Sequence, residues 1–147
     1  LLYETLHAFG FASRAVSEAA GDGLVLTDCR ITNAVKCLPP ANKPEPGEIK
    51  ACNHYLAAEL QASPEARVIL ALGLVAHKAV LMALGLKQSA LAFGHGARHE
   101  LPGGRILVDS YHCSRYNTQT RRLTAAMFAE VVARAGQWAG DARTAHR

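Results

Sequence analysis

Residues able to do chemistry crowd into one stretch, Asp109-Ser110-Tyr111-His112-Cys113-Ser114-Arg115-Tyr116-Asn117-Thr118. An imidazole, a thiol, hydroxyls, a guanidinium, phenols and a carboxamide stand together there, far more donors than a connector needs. His112 and Cys113 are neighbours, and neighbours on an extended chain point to opposite sides. A Cys–His nucleophilic pair is therefore a poor reading of them. A second group is Cys37 and Cys52, with fourteen residues and a proline-rich stretch between them. Thiolates suit zinc or an iron–sulfur cluster, each of which wants about four ligands. Two cysteines are half a site, and from spacing alone two buried thiols are the better reading. Cys29 and Cys113 are weaker candidates to complete a four-sulfur set. A third group is Thr27-Asp28 with Thr32-Asn33. Asp28 could activate water, and the Asn33 carboxamide could donate and accept in one plane, as an amide does against a nucleobase edge. A strand-end turn in which both side chains satisfy the backbone explains them equally simply, and composition alone favours it. His77 and His95 read as structural or solvated residues rather than ligands.

These groups need elements to hold them. Residues 105–108 form a short apolar run introduced by Pro102-Gly103-Gly104, so the 109–118 stretch reads as the loop leaving a buried strand. A helical pattern follows over 121–139. Upstream, residues 1–12 carry Leu2, Leu6, Phe9 and Ala12 at helical spacing, and 24–27 and 30–35 are β-prone. Four prolines (Pro39, Pro40, Pro44 and Pro46) exclude regular structure over 36–47. A helix is expected from Glu48 until Ser63-Pro64, a buried strand over 67–73, and an alanine-rich helix over 74–84. Residues 88–104 suit a loop or a hairpin. Strand and helix alternate, which predicts an α/β fold with a parallel sheet between helices. A domain over 1–139 with a frayed tail at 140–147 is expected.

Composition narrows the function. Hydrophobic residues make up 50% and charged residues 19% of the 147, an ordinary balance for a globular protein. No apolar run approaches the roughly 20 residues that span a bilayer, and a cytoplasmic location is the default expectation. The net charge of +4 permits nucleic acid as a partner without demanding it. Nothing in the chain matches a glycine-rich phosphate loop, which counts against a Rossmann-like nucleotide binder. The opening Leu1-Leu2-Tyr3 has no methionine and already sits in a helical pattern, so the chain is expected to lack an N-terminal segment.

Two motifs carry a resemblance. Ile31-Thr32-Asn33-Ala34-Val35-Lys36-Cys37-Leu38-Pro39-Pro40-Ala41-Asn42-Lys43-Pro44 resembles the iron–sulfur uracil-DNA glycosylases, and His112-Cys113-Ser114-Arg115-Tyr116-Asn117-Thr118 resembles that superfamily's third motif. The usual form there is His-Pro-Ser, so Cys113 stands in place of a proline. Asn42-Lys43-Pro44 and the extension through Thr120 are more similar to the type-5 branch than to type 4.

The resemblance implies a DNA-repair enzyme of three α/β/α layers around a four-stranded parallel sheet, the first strand lying upstream of this chain. It implies a [4Fe–4S] cluster with Cys37 and Cys52 as two of four ligands, the other pair upstream of Leu1. His112 matches the family histidine that donates to the departing base, Asn33 the base-recognition position, and Asp28 a water-positioning carboxylate. Ser114, Arg115, Tyr116 and Asn117 would line the minor groove of DNA, Arg115 and Tyr116 filling the vacated stack. Uracil, and deaminated purines with it, would be the excised bases, by a protein expected to be monomeric. The alternatives are a type-4 enzyme and a non-catalytic iron–sulfur module that binds DNA.

Overall fold

The computed structural model describes residues 1–13, 26, 29–32 and 46–145; of residues 46–52 and 141–145 it describes the backbone alone. The chain divides into two compact units, Leu1–Ile31 with His112–Arg147, and Thr32–Tyr111.

The unit Thr32–Tyr111 is built on a sheet of three strands, β1 (Val68–Leu72), β2 (Arg98–Glu100) and β3 (Ile106–Ser110), in the order β1-β3-β2. β3 is the middle strand and every one of its residues is buried. It pairs parallel with β1, Leu70 opposite Val108 and Ala71 opposite Asp109. Its other neighbour, β2, runs antiparallel, with His99 opposite Leu107. The register follows from composition. Ile106-Leu107-Val108 is apolar on both faces, as a central strand must be. Arg98 and Glu100 flank His99 on the edge strand, where charge discourages further pairing. The expected parallel sheet is thus mixed among the described residues, because residues 88–104 take the hairpin option and lay a short antiparallel strand beside β3. The α/β class holds; three strands are described, not four.

Among the described residues two α-helices accompany the sheet. α2 (Pro46–Ala62) begins at a proline, which needs no partner for its missing N–H in the first turn. Its last turn is held by Arg105, whose guanidinium donates to the carbonyls of Leu60 and Ser63. α3 (Leu74–Ala83) starts directly after β1 at Gly73, whose φ of 98° suits a glycine. The Gly73 N–H donates to Ser110 at 2.8 Å, so the β1–α3 turn is fastened to the end of β3. Leu56, Ala71, Val80, Leu81, Leu101 and Leu107 form the apolar core. Asn53 adds a buried polar tie from α2 to α3, donating to the Ala79 carbonyl at 2.9 Å.

The other unit contains α1 (Leu2–Ala8), α4 (Arg115–Gln119) and α5 (Ala125–Ala145). α1 is shorter than the helical spacing of residues 1–12 suggests, because Gly10 turns to a φ of 80°. α1 packs on α5, with Leu6, Phe128, Val131, Val132 and Ala135 buried. At Gly136 an added Cβ would meet the Phe11 ring at 3.1 Å, so the missing side chain is what lets the ring close. α5 starts four residues later than the helical pattern from Arg121 implies. Thr124 caps it, accepting from the Met127 N–H at 3.1 Å, and the described α5 runs to Ala145. Ala12 and Leu26 meet in a single antiparallel bridge. Among the described residues, no helix is long and apolar enough to cross a membrane.

Candidate nucleic-acid interface and buried imidazole cluster

His112 is exposed, on a short segment that α4 and its cap hold in shape. Ser114 is the N-cap: its backbone is extended, with φ −66° and ψ 154°, and its Oγ accepts from the Asn117 N–H at 3.2 Å. The Asn117 carboxamide reaches back and donates to the His112 carbonyl at 2.9 Å. Thr118 donates to the carbonyls of Ser114 and Arg115, and Thr120 to that of Tyr116. A five-residue helix has little stability of its own, so these side chains supply what length does not.

The result is a tight polar turn with outward-facing functional groups. Tyr116 is 71% exposed, and Arg115 is exposed beside it. No described residue hydrogen-bonds to the His112 ring, the Arg115 guanidinium or the Tyr116 hydroxyl. Ser114 and Asn117, expected beside DNA, spend polar atoms on the turn itself. Those bonds hold the backbone that carries His112 and Arg115.

After α4 the chain turns through Arg121 at a φ of 60°, the left-handed region that an L side chain enters at a cost of about 1–2 kcal/mol. A shallow groove beside the turn is lined by Glu4, Cys113, Arg115, Thr118, Arg121 and Thr124. Two guanidiniums and the Thr124 hydroxyl on one groove are donors for phosphate oxygens. Burial pushes the Cys113 thiol up to about 11, which keeps it neutral. The same cause raises Cys29. Neutral, half-buried thiols are neither nucleophiles nor ready ligands.

Asp28, Asn33 and Cys37 lie outside the described residues. Cys52 is placed on α2, within its described backbone. Thiolates at Cys37 and Cys52 fit an iron–sulfur cluster by donor chemistry, as two of the four sulfurs it needs.

The unit Thr32–Tyr111 holds a second cluster. Asp109 is 0% exposed on β3, not in a polar loop as its composition suggests: β3 runs two residues beyond the apolar run. Its Oδ1 lies 2.8 Å from His77 Nδ1 and its Oδ2 2.8 Å from His99 Nε2. The Gly94 N–H approaches Oδ2 at 3.4 Å. The far nitrogen of His77, Nε2, lies 2.8 Å from the Leu91 carbonyl. The hairpin register explains the meeting. His99 faces Leu107, and Asp109 is two residues on, the diagonal neighbour on the same sheet face. Ala71, paired with Asp109, is small enough to leave α3 room to bring in His77. His95 accepts from the Tyr111 N–H at 3.1 Å and stacks on the Tyr111 ring. His77 and His95 are thus partnered rather than solvated, while His99 gives no signal in sequence until its hairpin register is known.

Comparison with known proteins gives a consistent answer. Residues 1–136 match the family model of the uracil DNA glycosylase superfamily. A type-5 uracil-DNA glycosylase of Thermus thermophilus is 50% identical over 95% of this chain and 63% of its own length. A type-5 uracil-DNA glycosylase of Pyrobaculum aerophilum is 39% identical over 95% of this chain and 60% of its own. A type-4 uracil-DNA glycosylase of Saccharolobus solfataricus is 32% identical over 74% of this chain and 53% of its own. The chain therefore spans about half to two thirds of the length of these relatives. With nearly every described residue inside the matched region, including the His112 turn and the imidazole cluster, the chain belongs to the uracil-DNA glycosylase superfamily.

Proposed function

We propose that this chain belongs to a type-5 uracil-DNA glycosylase, which flips uracil out of DNA and hydrolyses its bond to the sugar. The observation that carries the reading is the exposed His112 ring on a turn braced by Ser114 and Asn117, in a chain similar to type-5 enzymes over 95% of its length. A base inside a duplex is out of reach, so it must be extruded at a cost of a few kcal/mol. Cleavage then leaves negative charge on the departing base. A donor already aimed at that oxygen stabilises the charge as it develops, and His112 is that donor. Asn33 reads the edge of the flipped base and Asp28 positions the attacking water.

Arg115 and Tyr116 occupy the space the base vacates, and Arg121 takes a flanking phosphate. Deaminated purines are included among the substrates. Cys37 and Cys52 would hold two corners of a [4Fe–4S] cluster, which would brace the DNA-binding face. The protein is a monomer of the cytoplasm. The experiment is uracil release from a duplex oligonucleotide by the full-length protein, with His112→Ala beside it. Loss of the donor should lower the rate by about 100- to 1000-fold. Release at an undiminished rate in the variant would end the assignment of His112.

A further inference from the structure

His77 presents a proton-count problem. A carbonyl oxygen only accepts, so the 2.8 Å contact with Leu91 places the hydrogen of a neutral His77 on Nε2. Nδ1 is then bare, and it faces a carboxylate oxygen at 2.8 Å with both groups buried. Two lone pairs at that separation repel unless something positive lies between them. A proton would settle this one contact. A divalent cation would settle it and engage His99 Nε2 as well.

We propose that His77 Nδ1, His99 Nε2 and a carboxylate oxygen of Asp109 form a transition-metal site of the zinc type. The ligand atoms all lie within 4.8 Å of one another. Two imidazoles and a carboxylate are a zinc donor set, with bonds of about 2.0–2.2 Å. Closing the ligands around an ion is thus a matter of side-chain adjustment. The surroundings match as well. A ligating histidine usually donates its other N–H to a carbonyl or carboxylate, which is what His77 does to Leu91. The three ligands come from α3, β2 and β3, so the framework sets their spacing rather than one flexible loop. His99 retains 12% exposure, which gives the fourth position a side for water to enter.

Loading balances simply. The His99 proton moves from Nε2 to Nδ1, and the proton shared by His77 and Asp109 leaves to solvent. The site is independent of the glycosylase reading: none of its residues is assigned to base or DNA recognition.

The test is equilibrium dialysis of the full-length protein against zinc, followed by elemental analysis for zinc and iron. His99→Gln and Asp109→Asn are compared with the parent; His99→Gln is partly exposed and tolerates substitution best. The expected result is one zinc per parent chain, at least tenfold weaker binding in both variants, and unchanged iron. Zinc should also raise the thermal midpoint of the parent and not that of His99→Gln. The proposal is overturned if the parent binds no zinc, because a proton alone then fills the contact. Retention within tenfold by either variant overturns it too, because the zinc then sits on cysteines.

Discussion

The turn at His112 and the cluster at Asp109 lie close in sequence, yet they solve opposite problems. Around Asp109 each polar atom that the fold buries meets another polar atom at or near 2.8 Å. Around His112 the bonds are spent on backbone, and the ring, the Arg115 guanidinium and the Tyr116 phenol point outward. Burial makes an unmatched charge expensive, so the cluster sets its buried polar atoms against one another. Exposure makes an unmatched donor cheap, so the turn can leave its donors for a ligand. Polar density in sequence therefore marks two different things, a sheet anchor and an exposed set of donors.

The largest effect should come from breaking the anchor. Asp109→Ala leaves two imidazoles without their carboxylate partner and should cost about 3–5 kcal/mol of stability, measured by denaturant unfolding. The turn should answer more gently. Ser114→Ala removes the cap of a five-residue helix and should cost about 1 kcal/mol, with weaker DNA binding because Arg115 loses its fixed placement. Arg121→Gly should stabilise by about 1 kcal/mol, since glycine enters the left-handed region without strain, while loosening DNA binding by removal of a groove cation. Thermal midpoints and a DNA titration at fixed salt check both.

Smallest is the signature of Cys113. Its folded thiol keeps its proton up to about 11, above the ordinary value of 9.0. The stabilising difference is therefore complete below 9 and is lost as the pH rises toward 11. Alkylation of the native protein should stay slow at pH 8 and accelerate only toward pH 11, whereas the unfolded chain reacts readily at pH 8.

Much of this architecture was legible from residue order. Apolar runs located β1 and β3, helical spacing located α2 and α3, and the donor-rich stretch drew attention to His112. The misses have physical causes. Helical spacing persisted through Arg121-Arg122-Leu123 although the chain turns there, and Thr124 was the overlooked cap. Asp109 and Ser110 look like loop residues because polar side chains rarely continue a central strand; β3 accepts them because imidazoles meet Asp109 on one face and Ser110, on the other, donates to the Tyr111 carbonyl. His99 is invisible without the register of β2 against β3. No pattern within either strand alone predicts a diagonal pair.

The division of labour itself is most directly tested on His112→Ala in the full-length protein, by measuring uracil release and unfolding free energy on the same preparation. Release should fall about 100- to 1000-fold while stability changes by less than about 0.5 kcal/mol, as for an exposed side chain. Release and stability falling together would contradict the account, because His112 would then hold the fold rather than meet the base.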